Sequence, residues 1–120
     1  MKENIVQSKS YAFAVRIVRL TQHLGSEKRE FTLAKQVLRS GTSVGANVEE
    51  AIGGQSKADF LSKMSIAYKE ARETVYWLRL LHDTGYLTQA EFDSIHADAD
   101  ELCRILSKIQ TTTKDGIRNS

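Results

Sequence analysis

Two glycines one turn apart inside an otherwise helical stretch set the strongest limit on how this chain can fold. In LAKQVLRSGTSVGANVEEAI, residues 33–52, Leu33, Val37, Gly41, Val44, Val48 and Ile52 fall on one side of a helix wound at about 100° per residue. Gly41 and Gly45 sit beside that side, and each weakens an isolated helix by about 1 kcal/mol relative to alanine. A neighbouring helix that closes on their bare backbone offsets the loss. The segment is therefore predicted to be a core helix with a tightly packed partner. Ser40, Ser43 and Asn47 make a second ridge at the edge of the stripe, and a buried Asn there requires hydrogen-bond partners.

Three more helical segments surround it. Residues 1–9 are polar apart from Ile5 and Val6 and read as a loosely held arm, with Ser8 or Ser10 as the cap of a first helix over about 10–24. Phe13, Ala14, Ile17, Leu20 and Leu24 form its core face, and Tyr11, Val15 and Val18 widen the apolar arc beyond one seam. Gly25 is well placed as its C-cap. The second helix runs over about 31–52 and stops at Gly53-Gly54. Ser56 opens a third, about 57–84, with a core stripe of Phe60, Met64, Ala67, Ala71, Val75 and Leu78. Ile66, Trp77, Leu80 and Leu81 lie on a different side of that helix, with Glu73 beside them. A helix apolar on two sides of a small bundle usually meets another subunit, so these five residues are the expected oligomer interface. Gly85-Tyr86-Leu87 makes a turn, and Thr88 with Glu91 gives a capping box for a fourth helix over about 89–112. Its core face is Phe92, Ile95, Ala99, Leu102, Leu106 and Ile109, with Cys103 alongside. Residues 113–120 read as a frayed tail. The fold class is all-α, an antiparallel up-down four-helix bundle in one domain, residues 1–120.

The segment LRSGTSVGANVEEA resembles the signature of the four-helix-bundle intervening-sequence proteins, a family named from reading frames in inserts of bacterial large-subunit ribosomal RNA genes. The matched positions are Arg39, Ser40, Ser43, Val44, Ala46, Asn47, Val48 and Glu50, followed by the SKADFLSKMSIAYKEARET block and the GYL turn. The likeness covers nearly the whole chain. It departs where Glu50-Ala51-Ile52-Gly53-Gly54 delays the glycine that usually ends that helix. The resemblance implies a ring-like homopentamer and a distant kinship with the basic pentameric accessory protein of diversity-generating retroelements, which works with a reverse transcriptase and nucleic acid. Glu73 matches a position where the family commonly has Glu, with a structural pairing as its implied role.

Composition narrows the function. The 120 residues suit one domain, and no proline interrupts any helix. Seventeen Lys plus Arg against fifteen Asp plus Glu leave a net charge of +2, so the distribution of charge matters more than its sum. A lone Cys103 supports no intrachain disulfide and fits a reducing cytoplasm. Neither a leader nor a membrane-spanning run is present, so no membrane partner is expected.

Chemical sites are sparse. The histidines sit on three different helices or their ends, and only His96 and Asp100 share a face, too few ligands for a metal. Gly41-x-x-x-Gly45 lacks the Lys-Ser of a phosphate loop, so no cofactor is expected. Glu70 and Glu73 face the same way and are better placed to meet an Arg or Lys than to perform acid-base work. The acidic residues crowding the first half of helix four complement its dipole. On helix one, Lys9, Arg16, Arg19 and His23 form a basic stripe opposite the core, which Lys35 and Arg39 of helix two would extend. The ordinary account of such a stripe is a solvated face. The functional one is a phosphate track, and these six residues are the candidate nucleic-acid contacts.

The expectation is a non-enzymatic homo-oligomeric scaffold, a pentamer by resemblance, binding RNA or DNA. One alternative is an adaptor that docks a partner protein and ignores nucleic acid. A remoter one is a helical ribonuclease, from Arg16 and His23 with six residues between them.

Overall fold

The structure, a computed structural model, describes residues 4–119. It contains four α-helices: α1 (Ile5–Ser26), α2 (Thr32–Ile52), α3 (Lys57–Asp83) and α4 (Gln89–Arg118), with no strand among the described residues. Each helix packs on its neighbours in the chain and α4 returns to α1, whereas the backbones of α1 and α3, like those of α2 and α4, stay apart across the core. The α1–α4 and α2–α3 boundaries are therefore opposite sides of a four-cornered bundle, measuring 52 × 26 × 21 Å. No helix among the described residues is long and apolar enough to cross a membrane.

One core fills the centre. Its fully buried members include Phe13, Ile17 and Leu24 of α1, Val37, Val44 and Val48 of α2, Met64, Leu78 and Leu81 of α3, and Leu102 and Leu106 of α4. Burying a side chain of this kind contributes about 1.5–3 kcal/mol relative to leaving it in water. The glycines of α2 do what their position predicts. Gly41 faces Ile17, and Gly45 faces the backbone of Ser10, whose carbonyl oxygen would be 3.3 Å from an added Cβ. Small residues thus let α1 lie against the α2 backbone. Beside this contact, the buried Thr74 hydroxyl is 2.9 Å from that of Ser40, and the Asn47 side chain donates to the Ser43 carbonyl at 2.8 Å.

Several local expectations change. Residues 1–3 of the expected arm lie outside the described residues, but α1 already begins at Ile5. Its cap is Asn4, whose side chain accepts from the Gln7 N–H, while Val6 and Ser10 are buried. Gly25 lies inside α1, which ends at a Glu27 cap, and the Phe31 ring packs over it. The left-handed residue in that connection is Arg29 (φ 54°). On α2, Ile52 is 39% exposed and Leu33 only half-buried, and Ala34 and Ala51 occupy the core in their place. α2 does end before Gly53. Gly85, at φ +87°, makes the turn after α3. Ser56 caps α3, and Thr88 with Glu91 forms the reciprocal capping box of α4. The expected frayed tail is helical through Arg118, where Thr111 and Thr113 turn their hydroxyls onto the Ser107 and Ile109 carbonyls.

Candidate nucleic-acid interface

Arg16, Arg19 and His23 recur at spacings of three and four along α1 and reach the α1–α4 boundary. With Leu20 they line one wall of an open groove of about 520 Å³, and Leu87, Ala90, Glu91, Ser94 and Ile95 line the other. The capping box positions the second wall. Thr88 N–H donates to Glu91 Oε1 at 2.8 Å, and Glu91 N–H donates back to Thr88 Oγ1 at 3.2 Å. The hydrogen bond from the Thr88 backbone holds the Glu91 carboxyl below its ordinary range, helped by the Thr88 side chain and slightly by His23 and Lys28.

Charge is already satisfied along much of this edge. Arg16 Nη1 lies 2.6 Å from Asp98 Oδ2, and Arg16 Nη2 donates to Ser94 Oγ at 2.9 Å. Lys9 Nζ pairs with Glu101 Oε1 at 3.1 Å. Asp98 and Glu101 in the acidic first half of α4 are therefore counter-charges of α1, beyond any complement to the helix's own dipole. Arg19, His23 and Lys35 form no ion pair among the described residues.

Arg39 departs from the expected patch. It lies at the α2–α3 boundary, where its Nη1 meets Glu70 Oε2 at 3.2 Å and its Nη2 pairs with Glu73 Oε2. Because that boundary is opposite the α1–α4 edge, Arg39 does not extend the basic surface of α1. Glu73 also accepts from the Trp77 indole N–H at 3.0 Å, so its partners come from its own chain. Of the residues expected at an oligomer interface, Leu81 is fully buried in the bundle and Trp77 and Leu80 are half-buried. Ile66 is exposed.

Sequence reasoning missed the complement on α4. Lys9 and Arg16 are seven residues apart, as are Ser94 and Glu101 with Asp98 between them, and these two heptad-spaced rows of opposite polarity were the available signal. It also missed that His82 and His96 both stack on Phe92, with ring centroids 4.7 and 5.0 Å away. Among the described residues no three His, Cys, Asp or Glu side chains gather as a metal site would require. In the nuclease pattern, His23 and Arg16 do share the groove, but Asp98 and Ser94 occupy the guanidinium that would have to stabilise a phosphorane.

Larger exposed apolar surface lies on the outer side of α1. Tyr11 is 69% exposed, Val15 and Val18 follow it at helical spacing, and two shallow grooves flank them. One of these continues onto Thr42, Gly45 and Ala46 of α2, and Leu38 is exposed one turn before Thr42.

Comparison with known proteins agrees with this architecture. The model of the 23S rRNA-intervening sequence protein family matches residues 2–108. No curated protein matches the chain. A crystal structure of a protein of unknown function from the S23 ribosomal protein family of Bacteroides thetaiotaomicron superposes with a TM-score of 0.86 at 51% identity. The match covers 88% of this chain and 97% of that one. The chain belongs to the 23S rRNA-intervening sequence protein family.

Proposed function

We propose that this protein is a non-enzymatic cytoplasmic scaffold, an antiparallel up-down bundle that assembles as a homo-oligomer and presents basic residues to RNA or DNA. Contacts that descend on one helix as they ascend on the next support the antiparallel order, as in Gln7 with Glu49 and Ile17 with Gly41. The observation that carries the assembly is the outward apolar strip Tyr11, Val15 and Val18, which a shallow groove at Tyr11 joins to Ala46 of α2. A second copy of the chain is its occupant, and resemblance to the intervening-sequence bundles makes the ring a pentamer. Repetition around a ring turns a weak cationic patch into an avid one. The S23 ribosomal name of the structural relative points the same way.

The test has two parts. Native mass should fall to that of a monomer in Val15→Glu with helix content unchanged, and an unaltered mass would remove α1 from the interface. Titration of the oligomer with labelled RNA and DNA should give binding that weakens steeply with salt.

A protein adaptor is the second reading. It is favoured by the internal pairing of Lys9, Arg16 and Arg39, which removes half of the expected phosphate contacts. Binding to no nucleic acid at low salt would select it.

A further inference from the structure

An open cationic surface of this bundle lies outside the sites considered so far, on the solvent side of α3. Lys69, Arg72, Tyr76 and Arg79 follow one another there at spacings of three, four and three, all exposed. They span about 15 Å along the helix axis. None of the three cations has an ion-pair partner among the described residues, in contrast to Lys9, Arg16 and Arg39. Glu70 and Glu73 share the helix but are turned onto Arg39, whose single charge offsets one of their two.

Aromatic groups interrupt the charges. Tyr76 is 55% exposed, and its ring meets Trp77 at 75° with centroids 5.0 Å apart. Trp77 is in turn fixed by its indole bond to Glu73. The exposed ring is therefore buttressed from behind instead of swinging free. Arg72 is held in the same way, its Nη1 donating to the Tyr68 hydroxyl at 3.2 Å with the guanidinium carbon 6.0 Å from that ring's centre.

Resting on the nucleic-acid reading above, we propose that this face of α3 is a track for a single-stranded polynucleotide, with Lys69, Arg72 and Arg79 on consecutive phosphates and a base stacked on Tyr76. Three cations in one line follow one backbone, and stacking on Tyr76 requires a base that is already unpaired. A duplex offers no such base. The track is one helix wide and belongs wholly to one subunit, so assembly through α1 leaves it open and repeats it.

The experiment is a fluorescence-anisotropy titration of the full-length protein with a labelled unstructured 20-mer, as RNA and as DNA, against a duplex of the same length over a range of salt. The single strands should bind more tightly than the duplex, with a log–log salt slope of about −2 from three phosphate contacts per track. Arg72→Gln with Arg79→Gln should remove about two thirds of that slope. Tyr76→Ala should weaken single-strand binding by about 5- to 150-fold with the slope kept, and Tyr76→Phe should restore it. Arg19→Gln with His23→Gln tests the α1–α4 groove separately, and Lys114→Gln, outside both surfaces, should bind as the wild type does. If that α1 pair weakens binding and the α3 variants do not, nucleic-acid binding stands and the track is wrong. A preference for duplex, or indifference to Tyr76→Ala, also overturns the track. Absence of binding by the wild type at low salt removes both the track and the reading on which it rests.

Discussion

Gly41 of α2 lies so close to Ile17 of α1 that a methyl group added to it would stand 2.8 Å from both Cγ1 and Cγ2 of Ile17. Alanine at this position is thus favoured by helix propensity, by about 1 kcal/mol, and opposed by overpacking, which typically costs about 1–3 kcal/mol. Gly41→Ala should destabilise the bundle by about 1 kcal/mol, and Gly41→Leu should disrupt it. In an Ile17→Ala background the same alanine should become neutral or mildly stabilising. Urea unfolding of the two singles and the double measures the coupling, and equal losses in both backgrounds would refute the contact as the reason for the glycine.

The buried hydroxyls of Ser40 and Thr74 gain from each other only while both are present. Thr74→Val alone should cost about 1–2 kcal/mol, because the buried Ser40 hydroxyl loses its partner. Pairing it with Ser40→Ala should cost less than the two singles summed. Additive losses in thermal unfolding would show that the pair does not act as a unit.

Arg39 holds two carboxylates together, Glu70 and Glu73, at a half-exposed position. Exposure keeps the expected loss in Arg39→Leu near 1 kcal/mol at low ionic strength. Repeating the unfolding in 1 M salt should shrink the difference from wild type, since screening acts on this surface pair and on the repulsion left behind. A loss that does not change with salt would mean that the arginine stem, not its charge, contributes the stability.

Glu91 carries a pH dependence of known sign. Its carboxyl is depressed in the folded protein by the Thr88 backbone hydrogen bond, so its contribution is whole above the ordinary value of 4.5 and disappears as pH falls from there through the lower folded value. Glu91→Gln keeps an acceptor for the cap but cannot titrate. The stability gap between wild type and this variant should narrow on acidification through that window, as followed by thermal melts at several pH values. A gap that is constant with pH would contradict the assignment.

Burial pushes the Cys103 thiol up, against a smaller opposing pull from Arg72 and with a little help from Asp100. Its thiolate fraction at pH 8 is correspondingly small. Iodoacetamide should alkylate it several-fold more slowly in the native protein than in urea, and equal rates would place the sulfur in solvent.

What the residues disclosed in advance was mostly what one helix decides alone. The Thr88–Glu91 box, the Ser56 cap and the glycine-marked stop of α2 depend on neighbours within four residues, and all were legible. The Gly41 contact was legible as well, because two glycines in a helix make sense only against another backbone. Features that depend on which helix stands opposite were not. Lys9 and Arg16 looked like a free stripe until α4 supplied Glu101 and Asp98, and Leu81 looked outward until the bundle closed over it. The start of α1 was hidden for the same reason, since Val6 and Ser10 are polar-flanked residues buried only by the folded bundle, Ser10 against Gly45 of α2. The end of α4 was not legible because its polar run of threonines favours coil as readily as helix, and there the hydroxyls of Thr111 and Thr113 turn onto carbonyls of the helix itself.

The α1–α4 boundary is the least extensive of the four, and residues 78 and 82 positions apart in sequence latch it. Closing so long a loop is favourable only after the three contacts between successive helices have removed most of the chain's freedom. This makes it the last seam to form and the first to part. Amides along the facing sides of α1 and α4 should exchange through a local opening rather than through global unfolding, and added salt, by weakening the latch, should quicken that breathing while the α2–α3 half of the molecule stays shut.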